Sequence, residues 1–299
     1  MDFINPDALD FEAAEAASLI LPNYGGYRFF LIGAGGTGSH LAPEVVRFAV
    51  VLREMGQRAE VIIIDPDKVE HKNTYRQNFC PAEVGQYKAV TLAARLGLAW
   101  GIEVPAIVAP FAPAMIGDAS HCVNILIGCV DSPEARAEIN AALRRRYFWH
   151  QSATPVTWHL DCGNSFRCGT VRLGAVTEAD EMRGAFPVET VCHALPAPAL
   201  QEPALIQPKS GEARRRPASC AELLLAGEQS LTINKAVASI AADFLYQLCV
   251  SKELTRYATF LDLATGVMNS EYITPRRVAA LIDQPVEFVL APHAAALAA

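Results

Sequence analysis

Residues 30–48, "FLIGAGGTGSHLAPEVVRF", decide how the first half of the chain folds. An apolar run enters glycines at 33, 35, 36 and 38, Ser39 follows, and a helical stretch takes over. Gly33, Gly35 and Gly38 satisfy G-x-G-x-x-G between a strand and a helix, where backbone N–H groups and a helix N-terminus face a phosphate. The spacing predicts a buried strand over 28–33 and a helix from about Ser39 to Met55, with Pro43 tolerated in its first turn. "AEVIIIDPD" (59–67) is a second strand whose unbroken apolar run needs cover on both faces, which completes a βαβ unit.

Further along, a polar irregular segment leads into a helix over about 88–98. "VPAIVAPF" (104–111) reads as a third strand and "VNILIGCVD" (123–131), ending at Asp131, as a fourth. "SPEARAEINAALRRRYF" (132–148) starts a helix, with Ser132 as N-cap, Pro133 at the first helical position and Glu134 in the first turn. Strands alternating with helices give an open, mainly parallel α/β sheet flanked by helices. "TWHLDCGNSFRCGTVRLGAV" (157–176) reads as two extended runs around a turn, an antiparallel continuation of that sheet. Residues 178–218 read as a long crossing or lid loop. A helix over about 231–250, a hairpin in "YATFLDLATGVMNSEYITP" (257–275) and a frayed tail complete the chain, which shows no internal repeat. The expected organisation is an N-terminal segment (1–27), a nucleotide-binding half (28–150) and a C-terminal half (151–290) in one domain.

The 299 residues carry 52% hydrophobic and 19% charged side chains, an ordinary globular composition, and a net charge of -7. That charge opposes a broad grip on nucleic acid or an anionic membrane, and the basic runs at 144–146 and 214–216 do not reverse it. The cysteines at 80, 122, 129, 162, 168, 192, 220 and 249 are scattered, and the chain opens on an acidic segment, so reduced thiols and a cytoplasmic location are expected. No long uncharged apolar stretch predicts a membrane span.

Taken alone, the glycine turn also suits a dinucleotide-dependent oxidoreductase, with Asp65 accepting from ribose hydroxyls, or a structural turn without ligand. Two details oppose the oxidoreductase. Asp65 lies 27 residues after Gly38, and the following loop carries Asn73, Arg76, Gln77 and Lys88. Hydride transfer has no use for such a cluster, whereas cleavage of a nucleoside triphosphate needs positive charge on the departing phosphates.

"GAGGTGS", "DPDKVEHKNTYRQNF", "VGQYKA" and "GCVDSPEARAEIN" together resemble the adenylating domain of the ThiF/MoeB/HesA family, which includes ubiquitin-activating enzymes. Residues 217–248 are similar to the ThiF-type proteins of PRTRC systems. The resemblance implies a Rossmann-like fold that binds ATP with Mg²⁺, adenylates the C-terminal carboxylate of a small ubiquitin-fold carrier protein, and works as a homodimer. By matched position it implies that Gly33, Gly35, Gly36, Gly38 and Ser39 admit the phosphates. Asp65 would hold the ribose and Asp67 lie beside the nucleotide. Asn73, Arg76, Gln77 and Lys88 would contact the phosphates, and Asp131 would hold Mg²⁺. Arg136 and Asn140 match as structural or substrate-positioning residues.

This chain departs from the family in two ways. Its first 27 residues hold no Arg or Lys, so either another residue, such as Arg28 or one from the 214–216 run, takes the place of the arginine that relatives bring to the phosphates, or adenylation is weak. There is no CxxC pair, so no zinc of that type is expected, although Cys162, Cys168, Cys192, His193 and Cys220 remain possible convergent ligands. A thioester-forming cysteine needs exposure and a favoured thiolate, and Cys220 and Cys192 are the candidates. A catalytically silent module that grips the carrier without turnover is the remaining alternative.

Overall fold

A computed structural model describes residues 11–22, 24–117, 121–144, 154–207 and 232–291. The strands are β1 (Ser18–Leu19), β2 (Gly26–Ile32), β3 (Arg58–Ile64), β4 (Ala106–Ile107), β5 (Val123–Gly128), β6 (Thr157–Asn164), β7 (Cys168–Gly174), β8 (Val191–Cys192), β9 (Arg256–Asp262) and β10 (Val267–Tyr272). The helices are α1 (Gly36–Glu54), α2 (Lys88–Trp100), α3 (Pro133–Leu143), α4 (Pro198–Gln201), α5 (Ile233–Leu245), α6 (Pro275–Leu281) and α7 (Val286–Leu290).

Eight strands form one sheet in the order β10-β9-β7-β6-β5-β2-β3-β4. From β4 to β6 every neighbour is parallel, and from β6 to β10 every neighbour is antiparallel. The unbroken apolar runs have the expected cause. Phe29, Leu31, Val61 and Ile63 pack on one face beneath α1 and α2, and Phe30, Ile32, Ile62 and Ile64 pack on the other toward α3. The third strand is shorter than its sequence suggested, since only Ala106 and Ile107 pair, at the outer edge beyond β3.

α1 starts at Gly36, so Pro43 lies in its interior and not in its first turn. A mid-helix proline costs about 3 kcal/mol. Leu41, Val45, Val46 and Leu52 are fully buried on the same helix, and each contributes about 1.5–3 kcal/mol, so packing decides. Pro43 has no N–H for the Ser39 carbonyl, and Asn78 Nδ2 donates to that oxygen instead, at 3.1 Å.

Ser132 accepts from Ala135 N at 3.1 Å with Pro133 at the first helical position, as the sequence predicts. The 157–176 and 257–275 stretches form the β6–β7 and β9–β10 antiparallel pairs. The stretch read as an open loop is structured as far as 207: β8 pairs in parallel with β1, and Met182, Phe186 and Leu195 are fully buried. Residues 208–218, with Arg214–Arg216, lie outside the described residues. After α5 the chain widens into a π-helix, Tyr246–Ser251, which ends at Lys252 in a left-handed conformation. No helix among the described residues is long and apolar enough to cross a membrane.

Candidate functional site

β2 has β3 on one side and β5 on the other, so the chain reverses its direction of travel across the sheet between β2 and β5. Open α/β sheets bind ligands at this crevice, beyond the carboxyl ends of the strands. Register places the candidate residues there. Ile32 pairs with both Ile64 and Gly128, so Gly33, Asp65 and Cys129 leave the sheet at one level and Asp131 follows.

Two glycines are sterically required. Gly33 has φ +91°, and a Cβ on it would stand 2.5 Å from the Cys129 carbonyl oxygen. A Cβ on Gly38 would overlap the carbonyl oxygen of Gly33. The space over Gly35 is open, with Gln77 Nε2 the nearest atom at 3.9 Å from the Cβ position. No side chain caps α1, so its first N–H groups and the positive end of its 19-residue dipole stay available to an anion. Asp65 shapes the approach to this turn, accepting from Ala34 N at 2.6 Å and from Asp67 N at 2.8 Å. Its burial pushes the carboxyl pKa up, opposed by Lys88 and the two backbone N–H donors.

The loop after β3 is strapped to α1. Asn73, in a 3₁₀ turn (His71–Tyr75), accepts from Glu70 N at 2.8 Å and through its backbone from Gln77 N at 2.9 Å. Asn78 N donates to Ser39 Oγ at 2.9 Å, and Ser39 Oγ donates to the Gly36 carbonyl at 3.1 Å. His40 Nε2 contacts the Arg76 carbonyl at 3.1 Å, and because a carbonyl only accepts, that nitrogen carries the hydrogen. Burial lowers the His40 pKa, partly offset by that hydrogen bond and reinforced by Lys235.

Arg76 is therefore held in place by its backbone while its side chain is left unsatisfied. It is 3% exposed, and its Nε and Nη2 are buried without an acceptor. Burial alone accounts for the lowering of its pKa. Gln77 Oε1 is buried and unpaired beside it. A guanidinium in this condition costs stability unless something supplies its acceptors. Lys88 opens α2, where a cation opposes the helix dipole, and is 7% exposed with Nζ 2.9 Å from Asp67 Oδ2. The chemistry of the orphaned Arg76 donors, which lack acceptors, suits an anion such as a polyphosphate.

Asp131 is exposed beyond β5 and does not cap α3, since Ser132 does. Its carboxylate is an exposed oxygen ligand of the kind a divalent ion would take. Its backbone carbonyl accepts from Arg136 Nη1 at 3.5 Å, and Arg136 Nε donates to the fully buried Asp161 at 2.8 Å. Arg136 is thus a structural strut beneath Asp131. Asn140 on the same helix is buried, with its Oδ1 unpaired.

Two expectations are corrected. Arg28 cannot serve the phosphates: it lies five residues before Gly33, roughly 16 Å back along the strand, and donates to the Ile116 carbonyl at 2.7 Å. Cys192 is fully buried in β8, Sγ donates to the Ala194 carbonyl at 3.1 Å, and burial pushes its thiol up to about 12, the opposite of an exposed thiolate. Cys162, Cys168 and Cys192 lie on separate strands, and no group of three or more His, Cys, Asp or Glu among the described residues is placed to hold a metal. Cys220 lies outside the described residues.

Sequence reasoning missed Asn78, inside a quoted motif but given no role, and the contact of Asn164 and Asn234 with Thr37 behind the turn. The latter joins residues 127 and 197 positions apart, which no local pattern records.

A family model described as "ThiF family" matches residues 25–271. Among solved structures, the chain is similar to selenomethionine PaaA (17% identity, TM-score 0.51, 83% of this chain and 64% of that one). It is also similar to E. coli MccB with ATP (16%, 0.52, 84% and 64%) and to E. coli MccB with selenomethionine MccA (15%, 0.51, 84% and 64%). The chain spans just under two thirds of the length of these structures, and at such identities the likeness is one of fold. No curated protein matches the sequence.

Proposed function

Since the chain belongs to the ThiF family, we propose that it is an adenylyltransferase that uses Mg·ATP to activate the C-terminal carboxylate of a small ubiquitin-fold carrier protein. The observation that carries this reading is the buried guanidinium of Arg76, without acceptors for Nε and Nη2, beside an uncapped helix N-terminus. MccB, of similar fold, has been crystallised with ATP and with MccA, which supports a nucleotide and a separate substrate meeting on such a scaffold.

In this reading Gly33, Gly35, Gly36 and Gly38 let the α1 backbone approach the phosphates, with Ser39 and Asn73 holding the surrounding turns. Asp65 takes the ribose and Asp67 lies beside the nucleotide, its carboxylate already on Lys88. The carrier carboxylate attacks the α-phosphorus: a carboxylate O–P bond forms, the bond to the bridging α–β oxygen breaks, and pyrophosphate leaves with that electron pair. No proton moves, so no general base is required. Arg76, Gln77 and Lys88 reduce the repulsion between the two anions and stabilise the leaving pyrophosphate. Asp131 would hold Mg²⁺, which when bound would supply Lewis-acid neutralisation of phosphate charge. Transfer of the acyl group to Cys220, a homodimeric assembly and a cytoplasmic location complete the proposal. A dinucleotide oxidoreductase leaves the orphaned Arg76 donors without a purpose.

The test is ATP–pyrophosphate exchange with a candidate ubiquitin-fold partner, for the native protein and Asp131→Ala. Partner-dependent exchange that disappears in the variant supports the reading. Partner binding without any exchange moves the protein to a silent, carrier-gripping module.

A further inference from the structure

Behind the glycine turn, three polar side chains from distant parts of the chain close into a triangle. Asn164, the last residue of β6, donates through Nδ2 to Thr37 Oγ1 at 2.9 Å and to Asn234 Oδ1 at 2.8 Å. Thr37 Oγ1 in turn donates to Asn234 Oδ1 at 3.4 Å. Thr37 is the second residue of α1 and Asn234 the second of α5, so the N-terminal ends of two long helices converge here. Asn234 is 1% exposed, and its Nδ2 has no acceptor. Asn234 also bears on the turn itself, since a Cβ on Gly36 would stand 2.5 Å from its Oδ1 and 2.9 Å from its Nδ2.

A buried amide with an unused donor is costly and is kept where it serves a site. It sits against Gly36, the first residue of α1, whose N–H opens the helix. We infer that Asn234 is a nucleotide-positioning residue: with Asn164 and Thr37 it sets the height and tilt of the first turn of α1, through direct contact with Gly36. The inference rests on the nucleotide reading above. It makes the glycine at 36 a requirement imposed by α5 and not by the ligand alone.

The experiment is calorimetric titration of the whole protein with Mg·ATP, alongside thermal melting, for Asn234→Ala, Asn234→Asp, Gly36→Ala and the double variant Gly36→Ala with Asn234→Ala. Gly36→Ala is expected to weaken ATP binding by about tenfold or more, because a nearest-neighbour clash has to displace the turn. The double variant is expected to recover to the level of Asn234→Ala, which itself binds several-fold more weakly than the native protein. Asn234→Asp keeps an oxygen for Asn164 and Thr37 but adds a negative charge beside the phosphates. It is expected to bind at least tenfold more weakly, with the loss deepening as pH rises and the buried carboxyl ionises, a pH response that a purely structural residue does not give to nucleotide affinity. Native affinity in Asn234→Ala, or no recovery in the double variant, overturns the inference and leaves the nucleotide reading intact. Absence of ATP binding by the native protein overturns both.

Discussion

Replacing Arg76 with methionine should make the nucleotide-free protein more stable and the enzyme nearly inert. The guanidinium is 3% exposed with two nitrogens, Nε and Nη2, buried and unpaired. Each unmade donor costs about 1–3 kcal/mol, so the pair costs about 2–6 kcal/mol. Methionine keeps an apolar stem in the same place and removes that cost, at a packing loss of about 1–2 kcal/mol. The net gain is centred on about 2–3 kcal/mol, within a span of about 0–5 kcal/mol, which at roughly 2–4 °C per kcal/mol for a chain of this size raises Tm by roughly 4–12 °C. The same change takes positive charge from the leaving pyrophosphate, and exchange should fall by about 10²–10³-fold. Differential scanning calorimetry of the protein without nucleotide, paired with the exchange assay, reads both effects. A lower Tm in Arg76→Met would refute the reasoning, because it would mean the guanidinium is satisfied without a ligand.

Three further outcomes are expected. Gly38→Ala forces a Cβ onto the Gly33 carbonyl, so it should cost about 3 kcal/mol and abolish ATP binding by calorimetry; native-like binding would show that the turn is soft. His159 is fully buried, and burial, with Arg136, lowers its pKa to about 4 against the pull of Asp161. The unfolded chain then takes up the proton first, so stability is complete above about pH 6.5 and declines toward pH 4 by about 3 kcal/mol. Urea titrations across that range should show the decline in the native protein and much less of it in His159→Gln; parallel curves would assign it to other groups. Cys192→Ala should retain exchange and any covalent carrier adduct seen on denaturing gels under non-reducing conditions, while losing about 1–2 kcal/mol; loss of the adduct would return Cys192 to the chemistry.

Much of the fold was legible because its signals are local. The run from Phe29 to Ile32 is apolar at every position since both faces are covered, and Ser132 with Pro133 announces α3 within two residues. The positions of Gly33, Gly36, Asp65 and Lys88 were also readable, since each follows a strand or opens a helix that its own neighbours define. What escaped depends on pairing in space. "VPAIVAPF" looks like a full strand, but at the sheet edge only two of its residues find a partner. Cys192 looked accessible in a stretch without periodicity, yet β8 gains its order from β1, more than 170 residues earlier. Arg28 has the charge a phosphate wants and stands at the wrong end of its strand, a matter of axial position that composition does not encode. The triangle of Thr37, Asn164 and Asn234 needs the finished sheet before its members meet.

Pro43 turns an apparent defect into a fastening. A regular helix would consume the Ser39 carbonyl internally, whereas here that oxygen is offered sideways and Asn78 takes it, bringing Arg76 and Gln77 along as the preceding residues. The gap in the helix and the placement of the Arg76 and Gln77 side chains are therefore one device. Any attempt to improve the protein by restoring ideal helix at position 43 would set a new N–H in competition with Asn78 for one acceptor. The helix would then be strengthened at the expense of the grip on the loop, and the sturdier molecule would hold its substrate less firmly.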